Sequence, residues 1–518
     1  MDRRDVISQV VVSAQQMRDI EERVFAAGMP VAALMEKVGG LIARRIQELY
    51  PRSEMRRVGI LVGPGHNGGD ALVVARELHL QGYEVLIYRP FSKLKELTSQ
   101  HAQYADSLGI PWVDKFEALQ DCDLLIDGMF GYGFTRSLTN SAADAVNQLN
   151  QCHKPIVSID LPSGLSTDTG EVLGTAVRAT RTFCLGLWKL AFVQDQGLDC
   201  IGTAELIDIG IPLADVQAVL GDSPSIQRIT RASAIATLPI PRPPVTHKYK
   251  QGHLLLICGS RRYSGGAILT ALGARASGVG MLSIAVPESL KPLLTAHLPE
   301  ALVLGCPETE TGASAQLALP EKTDLSSFAA IACGPGLTLD ATPILQGVLE
   351  SDRPLVLDAD GLNILAELGT IPTLSKRQAA TILTPHVGEF KRLFPDSADP
   401  MKDRVSATSE AARMSGAVVL LKGARTAIAN PSGSIWINPE STPALARGGS
   451  GDVLTGLLGG LVAQAFSRQL PLEAIVATAA WWHSQAGILA AQERTELGVD
   501  AFTLTQYLAP VLRSALST

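Results

Sequence analysis

The sequence predicts an α/β protein of two domains, each built on a doubly wound parallel sheet. An apolar run at 58–62 leads through a glycine-rich turn into a helical pattern and a second apolar run at 84–88, as in a strand–helix–strand unit. A new series of strand-like runs begins at 252. The 518 residues exceed one ordinary domain, and the proline-rich stretch 239–244 cannot continue a helix or central strand. We place the boundary after residue 222, which gives domains 1–222 and 223–518.

Composition excludes several classes of protein. The net charge of −7 argues against nucleic-acid binding through a basic face. The seven cysteines lack CxxC spacing, which favours reduced thiols over a disulfide framework or a zinc site. No stretch reaches the length of a membrane span, and the start of the chain lacks the apolar core of a signal peptide. We therefore expect a cytoplasmic homo-oligomer with neither a nucleic-acid nor a membrane partner.

The turn at 63–70 carries the first candidate site. Its glycines satisfy GxGxxG, but the next strand ends in Arg89 and Pro90, where a dinucleotide fingerprint requires an acid for the ribose. Asn67 and Asp70 also supply oxygen ligands, which suit a cation or a polar substrate better than a pyrophosphate. The pattern favours a Rossmann-like sheet without ordinary dinucleotide binding.

Two further strand-like runs of this half, 123–128 and 156–160, carry aspartates at their ends. The first leads into the glycine-broken loop 129–136 and the second into 161–164. One such aspartate could simply start a turn. Because the carboxyl ends of parallel strands converge on one crevice, however, we expect these side chains to share a site. They are Asn67, Asp70, Asp127, Asp160 and Ser163.

These segments resemble the NAD(P)H-hydrate epimerase domain over roughly residues 10–215. The resemblance implies that Asp160 transfers a proton and that Asn67, Asp127 and Ser163 ligate K⁺. It departs from the family at His66, where asparagine is more usual. The residues that it implies for substrate binding are His66, Asn67, Gly68, Gly69, Asp70, Gly131, Tyr132, Gly133, Phe134, Thr135, Arg136, Ser137 and Asp160.

The second half repeats the pattern of apolar strands ending in polar or glycine loops. Near-continuous apolar runs are typical of parallel strands covered on both faces. The loops that follow them lie at 334–336, 358–361, 384–386 and 422–426. No Walker sequence occurs, which excludes a P-loop protein. His386 ends one of these strands, which makes it a site candidate as well as a structural histidine.

The stretch 448–452 precedes an apolar helical pattern. Glycines at such a position let backbone N–H groups approach a phosphate, and the helix dipole favours its charge. Asp452 would repel a phosphate unless a metal lay between them or the carboxylate handled a proton. The structural alternative is that Asp452 caps the helix.

As a set, these loops resemble the ribokinase-like superfamily and, within it, the ADP-dependent NAD(P)H-hydrate dehydratase, over roughly 225–515. The resemblance implies an α/β/α domain, ADP as phosphoryl donor, a bridging Mg²⁺ and Asp452 as the catalytic base. It implies substrate contacts by Ala267, Gly336, His386 and Asp452. It implies nucleotide contacts by Lys422, Gly423, Ala424, Arg425, Thr426, Gly448, Gly449, Ser450 and Gly451.

Together, the two resemblances imply an enzyme that repairs hydrated NADH and NADPH (NADHX and NADPHX). The first half would interconvert the R and S epimers, and the second would dehydrate the 6S epimer with ADP to give AMP and phosphate. Two alternatives stay open. One is a small-molecule kinase of the thiazole or pyridoxal type with a regulatory nucleotide-binding first half. The other is a first half that binds nucleotide without catalysis. ATP also stays open as donor.

Overall fold

The computed structural model describes residues 3–517 and divides into two compact units between Ile226 and Gln227. Residues 1, 2 and 518, the outermost of the predicted domains, lie outside the described residues. Both units are α/β with mainly parallel sheets, so the predicted fold class is confirmed. The division lies inside the short strand Ile226–Arg228.

Within the described residues, the first unit has a seven-stranded parallel sheet of order β4-β3-β2-β5-β6-β7-β9. Strands β1 and β8 pair separately, also in parallel. The strands are β1 (Val11–Val12), β2 (Arg57–Val62), β3 (Glu84–Tyr88), β4 (Trp112–Val113), β5 (Leu124–Gly128), β6 (Ile156–Ile159), β7 (Arg181–Leu185), β8 (Trp188–Lys189) and β9 (Thr203–Ile207).

Helices cover this sheet and bury their apolar faces against it. They are α1 (Arg3–Gln9), α2 (Ala14–Ala26), α3 (Val31–Leu49), α4 (His66–Leu80), α5 (Glu96–Ser107), α6 (Asn140–Gln151), α7 (Leu198–Ile201) and α8 (Leu213–Leu220). The sequence predicted that the turn would extend to residue 70, but α4 already begins at His66, with Gly65 as N-cap. Gly68 explains the early start: a Cβ there would collide with the carbonyl oxygen of Gly63, so only glycine lets the helix start against the turn.

The order of the strands determines where this unit can bind a ligand. The chain runs outward from β2 to β4 and then returns to add β5 on the other side of β2. The carboxyl ends of β2 and β5 therefore flank a topological switch point, the usual ligand crevice of an open parallel sheet. The predicted loops after residues 62 and 128 lie there.

The second unit has, in the described part of the chain, a ten-stranded sheet of order β10-β19-β18-β17-β16-β15-β14-β11-β12-β13. Its strands are parallel from β13 to β17, and β18 and β19 are antiparallel additions. The strands are β10 (Ile226–Arg228), β11 (His253–Ile257), β12 (Met281–Pro287), β13 (Leu302–Cys306), β14 (Ala330–Cys333), β15 (Leu355–Leu357), β16 (Thr381–Leu383), β17 (Val418–Leu421), β18 (Ala427–Ala429) and β19 (Ile435–Ile437).

The switch point of the second unit lies between β11 and β14, beside the start of the buried helix α17 (Ser450–Arg468). The helices are α9 (Arg231–Ala236), α10 (Ser264–Ala276), α11 (Lys291–His297), α12 (Thr342–Leu349), α13 (Asp360–Leu368), α14 (Thr370–Leu374), α15 (Val387–Leu393), α16 (Arg404–Ser415), α17 (Ser450–Arg468), α18 (Leu472–Arg494) and α19 (Ala501–Ser517). Helices α10 and α17 touch backbone to backbone, because a Cβ at Gly273 or Gly456 would collide with the other helix. This close packing places the first turn of α17 beside that of α10.

A test for membrane-spanning helices found no single helix in residues 3–517 that is long and apolar enough. Helices α2 and α3 pass the test only as a pair bent by 119°.

Candidate active sites

The first unit contains a cavity of about 750 Å³ at its switch point. Helices α2, α3 and α4 form part of its wall, the loops after β2, β3, β5 and β6 form another part, and residues of β7, β8 and the segment after β9 complete it. Most residues predicted to bind substrate line it: His66, Asn67, Asp70, Gly131, Tyr132, Gly133, Phe134, Thr135, Arg136 and Asp160. Other side chains in the wall, Arg18, Glu21, Lys95 and Lys189, had no place in the sequence motifs.

Asp160 follows β6 and is held in a sterically unfavourable backbone conformation. Its φ of 68° lies in the left-handed region, which aspartate tolerates better than most residues. The backbone N–H of Tyr132 donates to its Oδ2 at 2.8 Å, and a Cβ at Gly131 would lie 2.8 Å from the same oxygen. The glycine loop therefore wraps closely over the carboxylate and aims it into the cavity.

Lys189 forms a buried ion pair with Asp160. Its Nζ lies 2.6 Å from Oδ1, and the exposed fractions of the two side chains are 0% and 5%. The ammonium also donates to the carbonyl oxygen of Leu185 at 2.6 Å. Although burial opposes its charge, the Asp160 carboxylate raises the pKa of Lys189. Lys189 therefore stays an ammonium and compensates the charge of the carboxylate inside the protein.

Asp127 and Ser163, the predicted K⁺ ligands, lie together at the end of β5. Ser163 donates to Asp127 Oδ1 from its hydroxyl at 2.6 Å and to Oδ2 from its backbone N–H at 2.8 Å. Burial raises the pKa of Asp127, and nearby hydrogen bonds only partly offset this effect. A buried carboxylate beside a hydroxyl and an amide oxygen is a donor set that suits an alkali cation.

The third predicted K⁺ ligand, Asn67, contributes to the site through both polar atoms of its side-chain amide. A Cβ at Gly131 would lie 3.1 Å from Asn67 Oδ1 and 2.8 Å from Asp160 Oδ2, so both side chains border the same loop. Among the described residues, the buried Nδ2 of Asn67 finds no hydrogen-bond partner. A buried donor without a partner is costly, which suits an acceptor on a ligand.

Three predicted substrate contacts lie outside the cavity wall. Gly68 packs against the Gly63 carbonyl, and a Cβ at Gly69 would lie about 2.5 Å from the sulfur of Met35. These two glycines therefore serve helix packing. Ser137 is exposed at the end of the glycine loop.

The second unit gathers its charged side chains around another buried ion pair. Lys422, which follows β17, places Nζ 2.7 Å from Asp358 Oδ1, and Glu389 lies 3.9 Å from the same ammonium. The hydroxyl of Thr455 on α17 donates to Asp358 Oδ2 at 2.6 Å. Asp358 thereby connects the end of β15, the end of β17 and α17.

Asp452 lies beside this ion pair in the first turn of α17. The helix begins at Ser450 with Gly449 as N-cap, so Asp452 is not the cap. Burial and then the negative charge of Asp358 raise its pKa to about 7, while Lys422 acts in the opposite direction. A Cβ at Gly266 would lie 3.2 Å from Asp452 Oδ2. Asp452 is thus a carboxylate that can take up a proton near neutral pH.

Of the other predicted substrate contacts, His386 is the most accessible. Its Nδ1 accepts from the backbone N–H groups of Gly388 and Glu389, which caps α15, while its Nε2 lies 3.5 Å from Glu389 Oε1. Ala267 is fully buried in the second turn of α10. Gly336 has φ 68° and packs against Tyr263.

The predicted nucleotide loops flank the start of α17. Gly449 has φ 89°, which favours glycine, and lies against Leu269 and Ala501. A Cβ at Gly451 would lie 3.4 Å from Lys422 Nζ, so this part of the loop meets the end of β17. Arg404 donates to the carbonyl oxygens of Leu421 and Lys422 at 3.2 Å and thereby fixes the start of the segment 422–426.

His483 of α18 secures the first residue of α17. Its Nε2 donates to the carbonyl oxygen of Ser450 at 2.9 Å. Burial lowers the pKa of His483 to about 4, so the ring is neutral.

Sequence reasoning missed Glu21, Lys189, Glu389, Thr455 and His483 as members of the two sites. The best signal was Lys189, a single lysine in the apolar run 183–193, because a buried lysine requires a partner. Asp358 appeared only as a strand end.

Comparison with known families supports both halves of the resemblance. The family described as NAD(P)H-hydrate dehydratase matches residues 254–510, and the family described as YjeF-related protein N-terminus matches 31–191. A solved Bacillus subtilis ADP/ATP-dependent NAD(P)H-hydrate dehydratase, co-crystallised with ATP and Mg²⁺, is 34% identical with a TM-score of 0.47. It covers 55% of this chain and 97% of its own.

Whole-length relatives join the two families in one chain. The bifunctional NAD(P)H-hydrate repair enzyme Nnr of Synechocystis sp. is 56% identical over 98% of this chain and 95% of its own length. The protein of the same name from Thermosynechococcus vestitus is 51% identical over 98% of each chain. The chain therefore belongs to the bifunctional NAD(P)H-hydrate repair enzyme family.

Proposed function

We propose that this chain returns hydrated NADH and NADPH to the active coenzymes in two steps. The first unit interconverts the two epimers at the hydrated ring carbon. The second unit then dehydrates the 6S epimer, using ADP and releasing AMP and phosphate. A dehydratase specific for one epimer would leave the other behind, so the two activities on one chain complete each other.

The observation that carries this proposal is the match to repair enzymes over 98% of the chain, together with a separate carboxylate site in each matched half. In the first unit, Asp160 faces the cavity wall that is lined by the glycine loop. Epimerisation requires a proton to move to and from the ring substituent, and a positioned carboxylate performs that transfer.

K⁺ is part of the proposal for the first unit. Asn67 Oδ1, the Asp127 carboxylate and Ser163 Oγ would hold it, since Asp127 and Ser163 form a buried contact and Asn67 lies beside the adjoining glycine loop. The ion would supply positive charge close to the phosphate or carbonyl oxygens of the substrate. We expect K⁺ to raise the epimerisation rate and Li⁺ at equal ionic strength to do so less, measured by following the two epimers chromatographically.

In the second unit, Asp452 takes the proton of the substrate hydroxyl as that oxygen attacks the terminal phosphate of the donor. The N–H groups at the start of α17 stabilise charge on the transferred group. Phosphate then leaves the hydrated carbon, the neighbouring ring carbon loses a proton to solvent, and the electron pair of that C–H bond restores the double bond. Transient phosphorylation thus converts a poor leaving group into a good one.

Mg²⁺ would enter this site with the nucleotide. In residues 3–517 no group of three His, Cys, Asp or Glu side chains is arranged to hold a metal ion. This composition suits Mg²⁺, which commonly binds through substrate phosphates and one or two carboxylates. Asp452 and Asp358 would provide those carboxylates, and the ion would neutralise charge on the phosphates.

One experiment tests the whole proposal. Purified protein is added to a mixture of R and S hydrates with Mg²⁺, K⁺ and either ADP or ATP, and the absorbance of reduced nicotinamide is followed. We expect complete recovery with ADP. Recovery of half the hydrate would remove the epimerase assignment, and no recovery with either donor would contradict both assignments.

The kinase alternative differs in its product. A thiazole or pyridoxal kinase would accumulate a stable phosphorylated alcohol, whereas the repair reaction releases inorganic phosphate and AMP. Quantifying both products by ion-exchange chromatography separates the two. The proposal also includes a cytoplasmic homo-oligomer, which light scattering and cell fractionation would test.

A further inference from the structure

The cavity of the first unit contains a second acid–base pair, Glu21 with Tyr132, that no motif of the sequence identified. Glu21 lies on α2, before the segment 31–191 that matches the family. The hydroxyl of Tyr132 donates to Glu21 Oε2 at 2.5 Å. Both residues line the cavity, as do Asp160 and Lys189. Helix α2 therefore contributes chemistry, in addition to packing, to this site.

Tyr132 connects the two carboxylates of the cavity. Its backbone N–H donates to Asp160 Oδ2, while its hydroxyl, at the far end of the side chain, donates to Glu21. Tyr132 therefore binds one carboxyl group through its main chain and the other through its side chain. Because both acids line the same cavity, a substrate bound there can contact both.

The two carboxyl groups have different partners. Asp160 is ion-paired with Lys189 at 2.6 Å, whereas Glu21 accepts a hydrogen bond from a neutral phenol, the side chain of Tyr132. Burial raises the pKa of Glu21, and burial and then the charge of Glu21 raise that of Tyr132. A carboxyl group paired with an ammonium and one whose pKa is raised, in the same cavity, are the two groups that acid–base catalysis needs.

We propose that Glu21, with the hydroxyl of Tyr132, is the second proton-transfer group of the epimerase, acting opposite Asp160. The inference rests on the epimerase function proposed above. It assigns a catalytic role to α2, and it predicts that the first unit needs residues N-terminal to the matched segment for activity.

The reaction balances as a ring opening and reclosure. Asp160 takes the proton from the hydroxyl of the hydrated carbon, and that C–O bond becomes a carbonyl. The carbon–nitrogen bond breaks with its electron pair moving to the ring nitrogen, which takes the proton of the Glu21–Tyr132 pair. Rotation of the carbonyl and reversal of these steps close the ring with the opposite configuration. No oxidant, reductant or net proton is consumed.

The test compares Glu21→Gln and Tyr132→Phe with the wild type in R-to-S interconversion, without ADP so that the second unit is silent. Asp19→Asn on the same helix is the matched control, because Asp19 lies outside the cavity wall and bonds only to Gln15 in the described structure. We expect Glu21→Gln to lower kcat about 100-fold or more, since general acid–base groups contribute roughly 10²–10⁴. Tyr132→Phe should lower it in the same direction, and the double variant should fall little further.

The pH profile distinguishes proton transfer by Glu21 from a purely structural role, in which its hydrogen bond to Tyr132 only holds α2 against the glycine loop. The wild type should show a bell-shaped dependence of kcat/KM, and Glu21→Gln should lose one limb while Glu21→Asp retains both. The charged or titratable groups that influence Glu21 are Tyr132, Lys189, Asp160, Arg18 and Asp70. These groups change the pH at which the Glu21 limb of the profile lies, but they do not remove that limb.

Two results would overturn the inference. One is a Glu21→Gln rate within twofold of the wild type. The other is a reduced rate with both limbs of the profile intact, which a loosened contact between α2 and the glycine loop would produce. If the wild type itself fails to interconvert the epimers, the proposed function fails instead, so the two failures are distinguishable. Peptide-resolved hydrogen exchange over the first unit reports whether each variant is folded.

Discussion

Each unit places a lysine–aspartate pair near the carboxyl ends of its parallel strands, but the two units use the pair differently. In the first unit the lysine neutralises the proposed catalytic carboxylate itself, Asp160, at 2.6 Å. In the second, Lys422 pairs with Asp358 at 2.7 Å, and the proposed base, Asp452, lies beside the pair. The comparison teaches that an ion pair can include the catalytic carboxylate itself or can lie beside a carboxylate whose pKa is raised.

The largest expected effect concerns Asp452. Asp452→Asn removes the proposed base, and we expect ADP-dependent recovery from the S epimer to fall at least about 10³-fold. Epimer interconversion without ADP should stay within about twofold of the wild type, because its carboxylate belongs to the other unit. A variant that still dehydrates at more than a tenth of the wild-type rate would contradict the assignment of Asp452 as the base of the second unit.

The second prediction compares the two lysines. Lys189→Met leaves Asp160 buried without its partner, and we expect the first unit to lose about 3–5 kcal/mol of stability. Lys422→Met should cost the second unit less, since the side chain of Lys422 is 22% exposed and that of Lys189 is 0% exposed. Peptide-resolved hydrogen exchange measures each unit separately. Exposed lysines provide matched controls: Lys115→Met and Lys376→Met. Equal losses at Lys189 and Lys422 would contradict the prediction.

The third prediction concerns pH. Asp452 must be ionised to act as a base, and its folded pKa is about 7, so kcat/KM for dehydration should fall about tenfold per unit below pH 7. The same shift affects stability with a definite sign. Because the folded state binds this proton more tightly than the unfolded chain, whose carboxyl has a pKa of about 3.9, the group costs stability as pH rises from 4 to 7.

Asp452→Asn should therefore stabilise the second unit by about 4 kcal/mol at pH 8 and change it little at pH 4. Thermal unfolding at the two pH values checks this expectation. An equal change at both values would mean that the effect does not come from the charge.

The smallest expected effect concerns the hydrogen bond from Thr455 on α17 to Asp358, the partner of Lys422. Thr455→Val removes the hydroxyl that donates to Asp358 at 2.6 Å, and we expect a three- to tenfold loss of dehydratase kcat/KM, about 1 kcal/mol. Thr455→Ser keeps the donor and serves as control. If the serine variant loses as much activity as the valine variant, packing of the methyl group, and not the hydrogen bond, is what matters.

Much of the architecture followed from the chain alone. The strand at 84–88 appears with the bounds that its apolar run predicted, and the strand after residue 56 begins one residue early. Helix starts were less accurate: α4 and α17 both begin inside the stretches expected to be loops. Glycines let α4 start against the backbone of Gly63 and α17 start against the side chains of Leu269 and Ala501, and such contacts are invisible in local sequence.

The sequence by itself determined where the ligand-binding loops lie and which aspartates end the strands. Buried parallel strands have apolar sequences, and the turns that follow them are polar. Only the tertiary structure decided which charges meet. Glu21 has the sequence appearance of a solvent-facing residue on an amphipathic helix, Lys189 belongs to no motif here, and Asp358 was identified only as the end of a strand. Their partners, Tyr132, Asp160 and Lys422, are distant in the chain. Electrostatic pairing depends on distance in space and on burial, and the fold alone sets both.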